Sequence, residues 1–133
     1  RVVYVGRRAG GSVVHVGART FAHDVWAGHP VTGGERFAYL LREGERTAVV
    51  SDRGRAVFDA VIASTLTFDA AGRRWGVVAV ARDAALRVAI EGGETRPLDM
   101  DEISALATRD PSVRDGWAAT EAVRGWVRAE LTR

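Results

Sequence analysis

Residues 110–131 read as an amphipathic helix whose apolar face is too wide to stay uncovered. At about 100° per residue, Val113, Trp117, Thr120, Val123, Val127 and Leu131 fall on one side of the helix, with Trp126 at the margin. Asp110 supplies an N-cap and Pro111 sits at the first helical position, where its missing N–H costs nothing. Arg124, Arg128 and Arg133 suit the negative end of the helix dipole. The stripe covers about half the circumference, so the rest of the chain must present a broad apolar surface to it. On this reading Trp117 belongs to the core, and Trp126 marks the surface margin where a partner protein would first be sought.

The preceding sequence offers strands. Alternating or β-branched runs at 2–6 and 12–16 flank the turn Arg7-Arg8-Ala9-Gly10-Gly11 and read as a hairpin. Phe37, Tyr39 and Leu41 share one face of a strand that turns at Arg42-Glu43-Gly44-Glu45 and returns through 47–50. Asp69-Ala70-Ala71-Gly72-Arg73 is another tight turn. It leads into 75–81, apolar on both faces and so expected to be a central, doubly covered strand. A further strand spans 86–90 and ends at Glu91-Gly92-Gly93.

Residues 55–66 fit either a strand face or a helical stripe, and the flanking strands favour strand. Residues 18–34, with Gly28, Pro30, Gly33 and Gly34, read as a loop carrying one helical turn around 21–26. Asp99 with Glu102 resembles a capping box opening a short helix that ends near Arg109. No internal repeat stands out. The expected fold is α+β: an antiparallel meander of six to eight strands, curled or barrel-like, closed by the amphipathic C-terminal helix.

Composition narrows the class. A chain of 133 residues, 47% hydrophobic and 27% charged, suits one globular domain with a strand-rich part (1–98) and a helical tail (99–133). The chain opens at Arg1, as expected of a piece processed or excised from a longer protein. No apolar run nears the roughly 18 residues of a membrane helix, and no signal-peptide pattern opens the chain. Cysteine is absent, which removes disulfides, thiolate nucleophiles and Cys-ligated metals and points to the cytoplasm. All 19 basic residues are arginine. Without lysine there is no Schiff-base chemistry and no phosphate-loop lysine. The lysine-free, Ala-, Val- and Gly-rich bias suggests a GC-rich bacterial genome. The net charge is only +2, weak support for nucleic acid as a partner.

Three constellations could carry chemistry. His15, His23 and His29 are the only histidines, and with Asp24 they could supply the three or four ligands of a divalent metal such as zinc. Their spacing matches no metal motif, and scattered structural histidines are the plainer reading. A Ser/His/Asp set could use His23 and Asp83, but no Gly-x-Ser-x-Gly elbow supplies the nucleophile. Arg7 and Arg8 at one turn, with Arg73 and Arg74 at another, could form an anion patch if both turns lie at one end of a sheet. Trp75 beside these arginines suggests nucleic-acid stacking, yet it begins a buried strand.

By elimination, the sequence points to a non-enzymatic binding or regulatory module without a cofactor. Its partner would be another protein, the rest of its parent chain or a small ligand, contacted through Arg7, Arg8, Arg73, Arg74 or Trp126. The alternatives are a histidine-centred hydrolytic enzyme, metal-dependent or general-base, and an anion or nucleic-acid binder.

Overall fold

The computed structural model describes residues 2–98, 101, 105 and 116–132. Among the described residues eleven strands precede a C-terminal helix: β1 (Val3–Arg8), β2 (Gly11–Val16), β3 (Arg19–His23), β4 (Ala27–Gly33), β5 (Arg36–Glu43), β6 (Arg46–Ser51), β7 (Gly54–Phe58), β8 (Ala60–Phe68), β9 (Trp75–Val80), β10 (Leu86–Ile90), β11 (Thr95–Pro97) and α1 (Gly116–Leu131). The meander and closing helix are present, so the α+β class holds. The described residues form eleven strands instead of six to eight, and no barrel closes among them. The strands form three separate antiparallel sheets in chain order: β1–β2–β3, β4–β5–β6–β7 and β8–β9–β10–β11.

The sheets stack face to face, and β5 shows why. Its alternate side chains are buried on both sides: Phe37, Tyr39 and Leu41 pack with Val14 and Val16 of the first sheet. Ala38 and Leu40 pack with Leu66, Phe68, Trp75 and Val77 of the third. Period-2 alternation sends neighbouring residues to opposite faces, so a strand that is apolar throughout can join two cores. The third sheet repeats the pattern. Its inner face carries Trp75 and Val77, while Val78, Val88 and Ile90 on the other face pack under Val127 and Leu131 of α1. The chain is thus four layers deep, with the helix covering the last sheet. Among the described residues no helix is long and apolar enough to cross a membrane.

Several expectations change. Residues 18–34 are strands, not a loop with a helical turn. β3 pairs with β2 and β4 with β5, and the glycines and Pro30 are absorbed at turns and at an irregularity between Gly28 and Val31. Residues 55–66 are strand, as favoured, but they divide into β7 and β8 at Asp59. The double cover expected for 75–81 is found on β9. The helix stripe holds where it is described, with Val127 and Leu131 buried and Val123 and Trp126 partly so. The capping residues Asp110 and Pro111, the stripe residue Val113 and the capping box at Asp99 and Glu102 lie outside the described residues. So do the side chains of Trp117 and Thr120.

A repeat is also present. Val5 pairs with Val14, Leu40 with Val49 and Val78 with Val88; one step along, Tyr4 pairs with His15, Tyr39 with Val50 and Val77 with Ala89. The three sheets therefore share one register. Val2-Val3-Tyr4-Val5, Phe37-Ala38-Tyr39-Leu40 and Trp75-Gly76-Val77-Val78 are equivalent segments, and each follows an arginine in the sequence. β4 and β8, the first strands of the second and third sheets, both break register at the same place, opposite Leu40 and Val78. The repeat escapes a search at fixed period because the β8–β9 connection at 69–74 is longer than the β4–β5 turn at 34–35, and the turn at 81–85 is longer than those at 9–10 and 44–45. Packing asks only for an apolar residue at each position, so Val2, Phe37 and Trp75 share a place without sharing identity.

The first strands approach closely at their turns. A Cβ on Gly33 would stand 2.6 Å from the Phe68 ring and 2.9 Å from the Gly72 Cα. Gly72 itself takes φ 68, a left-handed conformation that favours glycine. This contact joins the β4–β5 and β8–β9 turns at one end of the stack.

Candidate functional site

The histidines that are neighbours in sequence are separated in space. His15 lies on the outward face of β2, stacked on Tyr4 with ring centroids 4.4 Å apart. His23 ends β3 on the inward face, its Nε2 hydrogen-bonded to the Tyr39 hydroxyl at 2.7 Å. His29 sits in the β4 irregularity at φ 52, 5.8 Å from the Trp26 ring. Asp24 accepts a hydrogen bond from Arg8 at 3.1 Å. Among the described residues no three His, Asp or Glu side chains are grouped to hold a metal ion. The Ser/His/Asp pairing also comes apart. Asp83 caps its own turn by accepting from the Ala85 N–H, in the third sheet, while His23 is in the first and the second sheet lies between.

The His23–Tyr39 pair has a structural task. Tyr39 is 1% exposed, and a buried hydroxyl without a partner would be costly; His23 provides one. Burial pushes the Tyr39 hydroxyl above its ordinary pKa. Burial, then the Arg8 charge, lower the His23 pKa against the opposing pull of Asp24. A depressed histidine pKa means that the unfolded chain binds the proton more readily. His23 therefore contributes stability that is complete above its unfolded value of 6.5 and is lost as pH falls through the folded value. Urea midpoints measured between about pH 7.5 and 5 should drop for the native chain. They should drop less for His23→Gln, and equal slopes would contradict this role.

The two arginine-bearing turns do not share an end. Arg8 pairs with Asp24 near the start of β4, whose Ala27 faces Leu41 late in β5. Arg73 lies beside Arg36, where β5 begins. The two arginine pairs thus occupy opposite ends of the stack and different sheets, because Arg7 and Arg8 end β1, paired with Ser12 and Gly11, while Arg73 and Arg74 precede β9. Trp126 is partly buried and packs at the edge of the helix–sheet core.

The end that carries Arg73 is the more organised. Arg36, 8% exposed, donates from Nε to Asp52 at 3.2 Å and from both terminal nitrogens to the two Glu91 oxygens at 2.6 and 2.5 Å. It also donates to the Arg73 carbonyl at 2.5 Å and lies 5.3 Å from the Phe68 ring centre. Hydrogen bonds to Glu91 raise its pKa further above an already high value, with burial opposing and Asp52 assisting. Burial pushes the Asp52 carboxyl up, but the Arg36 hydrogen bond and charge and the Asp52 and Phe37 backbone N–H groups outweigh it. The net shift is downward. Asp52 and Glu91 hold equivalent turn positions in consecutive units, so one guanidinium ties the second sheet to the third.

Beside this knot opens a groove of about 690 Å³ lined by Arg53, Arg73, Arg74, Asp69, Leu131 and Thr132. Arg74 is committed to the Leu131 carbonyl at 2.6 Å and Glu94 at 3.4 Å, and the Asp69 carboxylate accepts from the Arg73 backbone N–H at 2.7 Å. The exposed guanidinium groups of Arg53 and Arg73 have no protein partner among the described residues. A second groove of about 530 Å³ passes Val2, Pro30, Val31, Thr67, Arg124 and Arg128. There Arg124 and Arg128 are engaged with the Ser64 carbonyl and the Thr67 hydroxyl. Sequence reasoning found Arg73 and Arg74 but missed Arg53 and Arg36. The arginine preceding each equivalent segment was the signal available for Arg36. Comparison with protein-family models, curated proteins and solved structures finds no match to the chain.

Proposed function

We propose that the chain is a non-enzymatic, cytoplasmic binding module whose partner offers carboxylate or phosphate groups, as an acidic protein segment or a small anion does. The observation that carries this reading is the pair of guanidinium groups, Arg53 and Arg73, without a protein partner among the described residues, in an open groove beside the Arg36–Asp52–Glu91 knot. Guanidinium forks suit planar oxyanions and are stronger when held on a rigid base. The catalytic alternatives lose support because their residues are dispersed over separate sheets and faces.

Titration with a hexaglutamate peptide and, separately, with inorganic phosphate at low salt should shift the Arg53 and Arg73 side-chain resonances. Arg53→Ala with Arg73→Ala should weaken binding about tenfold or more, near 1.4 kcal/mol. Raising the salt should weaken it as well, since the groups are exposed. An equal affinity in the double variant, or no shifts with either probe, would overturn the proposal.

A further inference from the structure

The helix ends the stack on one side, and the other side is open at places where its equivalents are covered. Val2 and Tyr4 are 69% and 53% exposed, whereas Phe37 and Tyr39 in the second unit are 2% and 1%, and Trp75 and Val77 in the third are 3% and 0%. Phe37 and Tyr39 are covered by Val14 and Val16 of the preceding sheet, and Trp75 and Val77 by Ala38, Leu40 and Val49. No described residue of a neighbouring sheet covers Val2 and Tyr4, although His15 of the same sheet stacks on Tyr4.

The edge tells the same story. β5 pairs on both sides, with β4 and β6, and β9 with β8 and β10, but β1 pairs with β2 alone among the described residues. The first sheet lacks the position that β4 and β8 fill. The groove along Val2, Val3, Pro30 and Val31 lies where a strand at that position would run beside β4. An unpaired strand edge with an apolar face is a ready acceptor for another strand and sheet.

We infer that this face and edge receive a further unit of the same repeat, a strand antiparallel to β1 and a meander presenting Val- and Leu-rich side chains to Val2, Tyr4 and Val13. The two existing sheet–sheet interfaces argue for this occupant, since each is built from the same register positions that stand open here. Repeat arrays extend by such nearest-neighbour stacking, and their terminal units are capped.

The experiment places a second copy of residues 1–35 directly before Arg1 of the full chain, so that Arg1 follows residue 35 as Arg36 does. A parallel version carries a copy of residues 36–73, which precedes Arg74 in the same way. In at least one, amide exchange in β1 should slow tenfold or more, and the melting temperature should rise by several degrees. Tyr4→Asp should lower the melting temperature of that extended chain and leave the unextended chain unchanged. If both added copies exchange freely and β1 is unaltered, the inference is wrong. If the unextended chain already protects β1 and Tyr4 in a concentration-dependent manner, the occupant is a second molecule, and the inference is equally overturned.

Discussion

Arg36→Ala is expected to destabilise the fold by about 3–5 kcal/mol, the range seen when one partner of a buried ion pair is removed. The physical reason is what remains. Asp52 and Glu91 side chains are 25% and 14% exposed, and without the guanidinium two partly buried carboxylates would be left without their shared counter-charge. Removing the charges together should therefore rescue much of the loss. Arg36→Met combined with Asp52→Asn and Glu91→Gln should lie well above Arg36→Met alone in a denaturant series. The pH dependence follows from Asp52. Its folded pKa is depressed below 3.8, so its contribution is present above that value and lost as pH falls through the folded one. In Arg36→Ala this acid-side loss should disappear. Equal stability of the single and triple variants would show that the knot is not the link between the second and third sheets.

The second large effect concerns the helix. Leu131 is 2% exposed and packs over Gly76, where a Cβ would stand 2.9 Å from one Leu131 methyl group. Leu131→Ala should cost about 2–5 kcal/mol through lost burial and the cavity left behind. Gly76→Val should cost about 1–3 kcal/mol by overfilling the same space, even though valine suits a strand better than glycine does. The two changes share one volume. Combined, they should be less harmful than their sum by about 1 kcal/mol or more, in a double-mutant cycle read by urea unfolding. Additive costs would mean that α1 does not seat on Gly76. The equivalent positions are Val3 and Ala38, and glycine occurs only in the sheet that accepts a helix.

These two sites show how far the sequence could be read. The hairpins, the doubly covered strand at 75–81 and the Val127–Leu131 stripe follow from local periodicity, which depends on residues close together in the chain. The division into three sheets does not. Phe37 and Leu40 look equally apolar in sequence, and only the stack assigns them to different cores. Residues 18–34 read as a loop because glycine and proline cluster there, yet Gly33 is needed for close approach to Phe68 and Pro30 is tolerated beside a bulge. Arg36 carried no mark of burial, since its partners Asp52 and Glu91 come from distant turns. The histidines misled in the opposite way. Closeness in sequence placed them on adjacent strands, but alternation sent His15 outward and His23 inward. Arg53 was unremarked because it stands alone in its turn, and only folding brings it to Arg73.

The stack of equivalent sheets is tested most directly by nuclear Overhauser contacts from the adjacent residues Tyr39 and Leu40. The Tyr39 ring should contact methyl groups of Val14 and Val16, and the Leu40 methyls should contact Leu66 and Val77, with neither set shared. Contacts from both side chains to a single common set would contradict the three-sheet stack and with it the repeat.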